Sequence, residues 1–358
     1  MKKEAIMQKV NRLLTKLEYL DSHGYKKIYT LFALFDKKRY YATVCRECDN
    51  DILASDCVIN GYENVGIVFQ GPLDKNNDFT INTISLLRKV YPDISIVVST
   101  WMGDVTNEEK SKLEALRCTV LESESMGDEY KGKGQKTGHL NNQLLSSREG
   151  IEYLKNNNIE YAMKIRTDLR IYKVDFIPYF MNLLQLFGRG RAINVAFSNS
   201  FINVPYHMSD FIWFGAVDKL IKMYSAPYRM DEQLKYICEY TEQEKHSKHI
   251  ENVQMMMQKK EFEGFNWYDN LNVDEEFLVQ YHEECYISYH YDEKKHGDNL
   301  LEAYHNFLKQ EIIVVDEMDI LVFWDKNIYS AVQSNYALSL NGRLSYSKWL
   351  NLFLSDKS

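Results

Sequence analysis

The segment Lys164-Ile165-Arg166-Thr167-Asp168 places a charged side chain at every second position of an otherwise apolar run. Residues two apart in a β-strand project to the same face, so Lys164, Arg166 and Asp168 are expected to lie together. Two cations in a buried sheet cost several kcal/mol each unless anions accompany them. A diphosphate is such an anion, and the planar guanidinium of Arg166 suits it, whereas Asp168 could hold a divalent metal. A structural ion-pair network is the alternative interpretation.

Two further groups of residues follow apolar runs. Gln70-Gly71-Pro72 forms a turn signal, in which Gly71 permits close approach of a ligand and Gln70 can hydrogen-bond a base or a ribose. Thr100-Trp101 ends the next apolar run, and the indole of Trp101 could stack on a ring, although Trp is more often a core residue. Each signal is weak when it is taken alone.

Two carboxylates are candidates for proton transfer. Asp210 stands beside the apolar stretch 211–214, where it could act as a general base or cap a helix or strand. Glu275 is the second choice, although it lies in an acidic run that is typical of a solvated helix face.

Three familiar patterns are set aside. The loop 127–134 is close to a phosphate-binding Walker sequence, but Gly134 stands where Ser or Thr would bind magnesium. Asp49-Asn50-Asp51 precedes the first strand and therefore misses the ligand edge of a sheet. Cys45 and Cys48 form a single C-x-x-C pair without a partner pair at zinc-site spacing.

The elements that must position these residues alternate from residue 65 onward. We predict strands at 65–69, 94–99, 118–121, 161–165, 193–197 and 211–214, and helices at 80–90, from about 107, and at 140–156. Short buried strands alternating with helices predict a mostly parallel α/β sheet. Ligands of such sheets bind at the carboxyl ends of the strands, which brings Gln70, Trp101 and Asp168 to one edge.

Composition and charge limit the class of protein. The 358 residues include 45% hydrophobic and 26% charged residues, as in ordinary globular proteins, and the net charge of −8 argues against a nucleic-acid binder. Residues 1–40 carry +6, and 1–20 have the spacing of an amphipathic helix that could lie on anionic lipid or face solvent. Without an apolar leader or a run of about 18 apolar residues, the chain is expected to be cytoplasmic, with peripheral contact to the inner membrane face through this helix.

Four short motifs occur in a fixed order: Val68-Phe69-Gln70-Gly71-Pro72, Ser99-Thr100-Trp101, Lys164-Ile165-Arg166-Thr167-Asp168, and Ser209-Asp210 with Phe214-Gly215. In these motifs the chain resembles the WavE-type lipopolysaccharide synthesis family of bacterial enzymes, over roughly 65–225 and more loosely to about 290. The resemblance implies a GT-A-like glycosyltransferase that moves a sugar from a nucleotide-sugar donor to a glycan or lipid-linked glycan acceptor of lipopolysaccharide or capsule.

The resemblance also implies roles for the candidate residues. The nucleotide side would be lined by Gln70, Gly71 and Trp101, and we predict that their neighbours Pro72 and Thr100 belong to the same binding site. Arg166 would lie near the diphosphate, where the alternation of the strand also places Lys164, and Asp168 would take the place of the aspartate that binds Mn²⁺ or Mg²⁺. Asp210 would lie near the transferred sugar or the acceptor.

Two departures from the family pattern weaken parts of this assignment. Arg166 fills the first position of what would be a complete Asp-x-Asp at 166–168, so the metal requirement is less firmly implied. Asn142-Gln143 resembles a polar motif on the preceding helix, but Asn142 stands where an Arg is expected, which argues against a phosphate role there.

The predicted fold class is α/β and GT-A-like, with a mostly parallel central sheet flanked by helices. We expect an amino-terminal helical and aromatic extension at 1–60, a nucleotide-sugar-binding α/β domain at 61–228, and a mainly helical acceptor-side region at 229–358. Two other functions stay open: a non-catalytic, membrane-associated scaffold of polysaccharide assembly, and a sugar nucleotidyltransferase.

Overall fold

The computed structural model describes residues 58–126, 129–130, 135–136, 139–197, 200–230, 232, 283–293, 299–324 and 342–355. The predicted helix at 1–20, the Asp49-Asn50-Asp51 and Cys45/Cys48 patterns, and Glu275 lie outside the described residues.

The secondary structure alternates between strands and helices along the chain. The strands are β1 (Val65–Gln70), β2 (Ser95–Trp101), β3 (Cys118–Ser123), β4 (Glu129–Tyr130), β5 (Gln135–Lys136), β6 (Tyr161–Arg166), β7 (Leu169–Ile171), β8 (Ala192–Ala196), β9 (Ile212–Ala216), β10 (Ile312–Asp316) and β11 (Val322–Trp324). The helices are α1 (Phe79–Val90), α2 (Asn107–Ala115), α3 (Leu140–Asn156), α4 (Phe176–Phe187), α5 (Val217–Tyr224), α6 (Glu283–Tyr291), α7 (Leu300–Glu311) and α8 (Tyr346–Leu354).

Seven of these strands form the central sheet in the order β10-β8-β9-β6-β1-β2-β3. Strand β9 runs antiparallel to both of its neighbours, while the other neighbouring pairs are parallel. The predicted fold class is therefore confirmed as a mostly parallel α/β sheet flanked by helices. Because β1, β2 and β6 are parallel neighbours, their carboxyl ends meet at one edge of the sheet.

The central strands are continuous apolar runs in the sequence because both of their faces are buried. Every residue of β1 is buried, and the four central residues of β6 are buried as well. Parallel strands are covered by helices on both faces, so neither face needs polar residues at alternate positions. The exception is Lys164 in the middle of β6, which is a charged residue in a fully enclosed position.

Helix α3 lies unusually close to the sheet because two glycines remove side chains from the contact. A Cβ added to Gly150 of α3 would lie 2.4 Å from Val68 Cγ1, and one added to Gly66 of β1 would lie 2.5 Å from Leu154 Cδ2. Both distances are well below the normal contact between carbon atoms. The glycines therefore set the distance between α3 and the sheet, and with it the position of the first turn of α3.

The described residues hold no helix that is both long enough and apolar enough to cross a bilayer.

Substitution Gly150→Ala tests the close approach of α3. Inside a helix this change normally stabilises by about 1 kcal/mol, but here the new methyl group overlaps Val68, and overpacking typically costs about 1–3 kcal/mol. We expect a lower melting temperature in thermal unfolding followed by circular dichroism. The matched control is Gly190→Ala, where an added Cβ meets no atom within 4 Å. A Gly150→Ala variant that is more stable than the wild type would contradict the proposed contact.

Candidate active site

A cleft of about 650 Å³ opens at the carboxyl ends of β1, β2 and β6. Its walls come from these strand ends, from the first turn of α3, from the start of α6, and from residues next to β9 and in β11. The lining residues are Gln70, Gly71, Pro72, Trp101, Ser125, His139, Asn142, Gln143, Arg166, Thr167, Asp168, Asp210, Phe211, Glu283, Glu284 and Trp324. A cleft of this size accommodates a ligand of a few hundred daltons.

Most of the residues predicted for the site lie together in this cleft. Among the predicted residues that the structure describes, two do not line it. Lys164 is completely buried beneath it, and Thr100 is also buried, with its hydroxyl donating to Asp104 Oδ2 at 2.7 Å. Thr100 therefore helps to fix the loop after β2, and its role in contacting a ligand stays a prediction without support from this geometry.

Arg166 is held rigidly at the cleft by Asp168. Its Nε donates to Asp168 Oδ1 at 3.0 Å, and its Nη2 donates to Asp168 Oδ2 at 2.7 Å. Trp324 Nε1 donates to the same Oδ2 at 3.0 Å. The guanidinium also lies over the ring of Phe211, 4.6 Å from its centroid. The two hydrogen bonds to Asp168 and the contact with the Phe211 ring together fix the orientation of the guanidinium.

The outer part of the same guanidinium is available to a ligand. The side chain of Arg166 is 28% exposed, while that of Asp168 is 1% exposed. Within the described part of the chain, nothing accepts a hydrogen bond from Arg166 Nη1. Burial lowers the pKa of Arg166, but the hydrogen bonds and charge of Asp168 outweigh burial, so the net pKa shift is upward. Arg166 is therefore a permanently charged donor that faces the cleft.

Lys164 forms the second charged pair of the site, with Asp210. Lys164 Nζ donates to the backbone oxygen of Asp210 at 2.5 Å and lies 3.6 Å from its carboxylate Oδ2. Burial lowers the pKa of Lys164 to about 8, and the charge of Asp210 offsets part of that shift. The ammonium is thus stabilised by the protein's own carboxylate, although its proton is held less tightly than that of an exposed lysine.

The direction of β9 explains why Asp210 reaches this edge. In the antiparallel pair of β6 and β9, Ile165 lies opposite Ile212, so the residues that precede β9 lie beyond the carboxyl end of β6. Asp210 and Phe211 therefore meet Lys164 and Arg166. A parallel strand at this position would carry the same residues to the opposite edge of the sheet.

Glu283 is a site residue that the sequence did not single out. It lies in the first turn of α6, and its Oε1 accepts a hydrogen bond from the backbone N–H of His139 at 2.6 Å. Burial raises the pKa of Glu283; the His139 bond lowers it in part, and the charge of Asp210 raises it further. Glu283-Glu284 form a second acidic pair that follows the run containing Glu275 after the uncharged stretch 277–282, and nothing local distinguishes this pair as part of a site.

The first turn of α3 contributes the amide side chains of Asn142 and Gln143. Asn142 Oδ1 accepts from the backbone N–H of Met126 at 2.9 Å, which ties the helix to the segment after β3. Gln143 is 7% exposed, and its Oε1 accepts no hydrogen bond from any described residue. Gln70 Nε2 donates to Ser146 Oγ, one turn further along the helix, at 3.1 Å. The polar motif seen in the sequence thus lines the cleft, and the buried Oε1 of Gln143 is an acceptor without a partner among the described residues.

The residues at the strand end do not fit a resident metal. Both carboxylate oxygens of Asp168 accept hydrogen bonds from Arg166, and Oδ2 also accepts from Trp324. A divalent cation there would compete with a guanidinium for the same lone pairs. The described residues also contain no group of three or more His, Cys, Asp or Glu placed to share an ion. The assignment of Asp168 as a metal ligand therefore stays a prediction.

A mostly parallel α/β sheet with a charged cleft at its carboxyl edge is typical of proteins that bind small molecules. The chain belongs to the WavE lipopolysaccharide synthesis family, whose model matches residues 65–354. The resemblance noted in the four sequence motifs is confirmed. Family membership gives the protein a role in glycan synthesis.

Two of the solved structures that match the chain are distant likenesses. A cytidylyltransferase from Leptospira borgpetersenii serovar Hardjo-bovis (strain JB197) shares 16% identity over 51% of this chain and 73% of its own, with a TM-score of 0.29. A mutant of UDP-glucose pyrophosphorylase from Leishmania major shares 12% identity over 45% of this chain and 40% of its own, with a TM-score of 0.26. At these scores neither likeness carries weight for activity. No curated protein matches the chain.

Substitution Lys164→Met tests the buried pair beneath the cleft. Removing the ammonium leaves the carboxylate of Asp210 buried and unpaired, and breaking a buried ion pair typically costs about 3–5 kcal/mol. We expect a loss of that order in the free energy of unfolding, measured by urea denaturation. Lys155→Met is the control, because Lys155 forms an exposed pair with Asp218 at 2.7 Å, and such pairs contribute about 1 kcal/mol or less. Equal losses in the two variants would show that Lys164 has no special role in stability.

Proposed function

We propose that the protein is a GT-A-like glycosyltransferase that moves a sugar from a nucleotide-sugar donor to the glycan acceptor of a bacterial surface polysaccharide, lipopolysaccharide or capsule. The observation that carries the proposal is the exposed edge of Arg166, which is held by Asp168 at the point where three parallel strands end. Family membership supports the glycan-synthesis part of this function.

The chemistry of sugar transfer explains why a fixed guanidinium belongs there. When the bond from the sugar to the nucleoside diphosphate breaks, negative charge develops on the departing phosphate. Donors that already point at the developing charge stabilise the transition state without reorganising during the reaction. The planar fork of Arg matches two phosphate oxygens, and the N–H groups of Arg166 that Asp168 does not use face the cleft.

The remaining cleft residues divide into two sides in this proposal. Gln70, Gly71, Trp101 and Gln143 would bind the nucleoside, since they offer amide groups, an indole ring and a backbone without a side chain. Gly71 has φ +104°, a backbone conformation that other residues rarely adopt. Asp210 and Glu283 would lie towards the transferred sugar and the acceptor hydroxyl. Contact with a membrane through residues 1–20 stays a prediction.

A panel of nucleotide sugars tests the function directly. We expect one donor to raise the melting temperature of the full chain, because a ligand at a hundred times its dissociation constant stabilises by about 2.7 kcal/mol. The same donor should release nucleoside diphosphate when acceptor glycans are added. Release of pyrophosphate from a nucleoside triphosphate and a sugar phosphate would identify a nucleotidyltransferase instead. Failure of every nucleotide to bind would favour the scaffold.

Substitution Asp168→Asn separates the two possible roles of this residue. If Asp168 positions Arg166, the amide loses the ion pair, and we expect turnover to fall at least about tenfold, because a misplaced donor stabilises less of the developing charge. Excess Mn²⁺ should not restore activity, and EDTA should leave the wild-type rate unchanged. Loss of wild-type turnover in EDTA, with recovery on adding Mn²⁺, would instead establish a metal requirement. The control variant is Asp218→Asn, which removes one partner of the exposed ion pair with Lys155.

A further inference from the structure

Two carboxylates that line the cleft, Asp210 and Glu283, are candidates to accept the proton of the acceptor hydroxyl. Both line the same cleft as Arg166. Their charges help to raise the pKa of Arg166, and the charge of Asp210 raises the pKa of Glu283. Their surroundings differ in ways that distinguish a base from a supporting group.

Asp210 forms an ion pair with Lys164, the buried lysine beneath the cleft. Its carboxylate lies 3.6 Å from the Lys164 ammonium, its backbone oxygen accepts from the same ammonium, and its side chain is 8% exposed. Protonating this carboxylate would leave Lys164 as a buried cation without a counter-charge, which is strongly unfavourable. Asp210 therefore serves better as the fixed partner of Lys164 than as a group that takes up a proton in each cycle.

Glu283 has one anchored oxygen and one available oxygen. Its Oε1 accepts from the His139 backbone N–H, which orients the carboxylate, while Oε2 has no donor among the residues that the structure describes. The helix that carries it is held in place, since Tyr286 OH donates to the backbone oxygen of Pro227 at 3.0 Å and the Arg229 guanidinium lies over the Tyr286 ring. Glu283 is thus a positioned carboxylate with a free lone pair at the cleft.

The charges around Glu283 suit a proton acceptor. Burial raises its pKa, and Asp210 adds to the rise, whereas His139 and Arg229 oppose it. A carboxylate with a raised pKa binds a proton more strongly than an exposed one, and catalysis is most effective when that pKa approaches the working pH.

We propose that Glu283 is the general base of the transfer reaction, an inference that rests on the proposed glycosyltransferase function. The acceptor oxygen attacks the anomeric carbon while its proton passes to Glu283 Oε2. The bond between that carbon and the phosphate oxygen breaks, and its electron pair leaves with the nucleoside diphosphate towards Arg166. One displacement of this kind inverts the anomeric configuration. Glu283 takes the role that the sequence assigned to Asp210 or Glu275.

Substitution Glu283→Gln removes the basic oxygen and keeps an amide oxygen for the His139 N–H. With the donor identified by the panel, and with water or n-octyl glycosides as acceptors, we expect turnover to fall about 100-fold or more, as is usual for loss of a general base. Donor affinity, from the ligand-induced shift in melting temperature, should change less than about threefold. The control is Glu293→Gln, just after the same helix, whose side chain is 69% exposed and pairs with Lys222.

Azide provides a readout that a purely structural role would not give. Azide attacks an anomeric carbon without losing a proton, so it needs no base. We expect azide to restore donor consumption in Glu283→Gln, with formation of the glycosyl azide of inverted configuration. It should not restore Asp168→Asn, in which departure of the diphosphate is impaired instead.

Two kinds of failure can be told apart. A Glu283→Gln variant within about tenfold of wild-type turnover, or a product of retained configuration, would overturn the role of Glu283 and leave the glycosyltransferase function standing. A wild-type enzyme that consumes none of the nucleotide sugars would overturn the function and this inference with it.

Discussion

The site depends on the cost of enclosing one ammonium group. Lys164 lies in the middle of the central sheet, between Val68 of β1 and Trp213 of β9, and its side chain is completely buried. A charge in that position is tolerated only with a counter-charge and a hydrogen-bond acceptor close by. Asp210 supplies both, and it can do so only because β9 runs antiparallel and begins at the carboxyl edge of β6. One electrostatic requirement therefore links the direction of a strand to the chemistry of the cleft.

Of the two interpretations offered for the charged strand end, the structure shows the ion-pair network, and the binding of a diphosphate stays a prediction. Lys164 and Arg166 form ion pairs within the protein, as a structural network would, yet Arg166 also presents donors to the cleft. This combination has a physical advantage for binding. Because Asp168 already holds the guanidinium, a ligand does not have to order this side chain, so the entropy cost of ordering is not subtracted from the binding energy.

Local patterns were sufficient for much of the fold. The apolar runs predicted β1, β2, β3 and β6, and the rule for parallel sheets placed Gln70, Trp101 and Arg166 at one edge, where they lie. Other features depend on distant parts of the chain. Nothing local shows that β9 is antiparallel, that β10 joins the sheet next to β8, or that Glu283 lines the cleft. Helix α4 was missed although the sequence carried its signal, since its buried residues recur at the helical spacing of three and four: Phe176, Ile177, Phe180, Leu183 and Leu184.

The glycines between α3 and the sheet have a consequence for how such a protein can diversify. Gly66 and Gly150 leave no room for α3 to shift, so Asn142 and Gln143 are presented at a fixed depth. A change in what this wall of the cleft binds would have to come from new side chains on an unchanged scaffold. Glu283, in contrast, arrives on a helix from a distant part of the chain. The two walls of the cleft therefore come from separate parts of the chain, so a substitution near residue 283 can alter one wall while the packing that fixes the other stays unchanged.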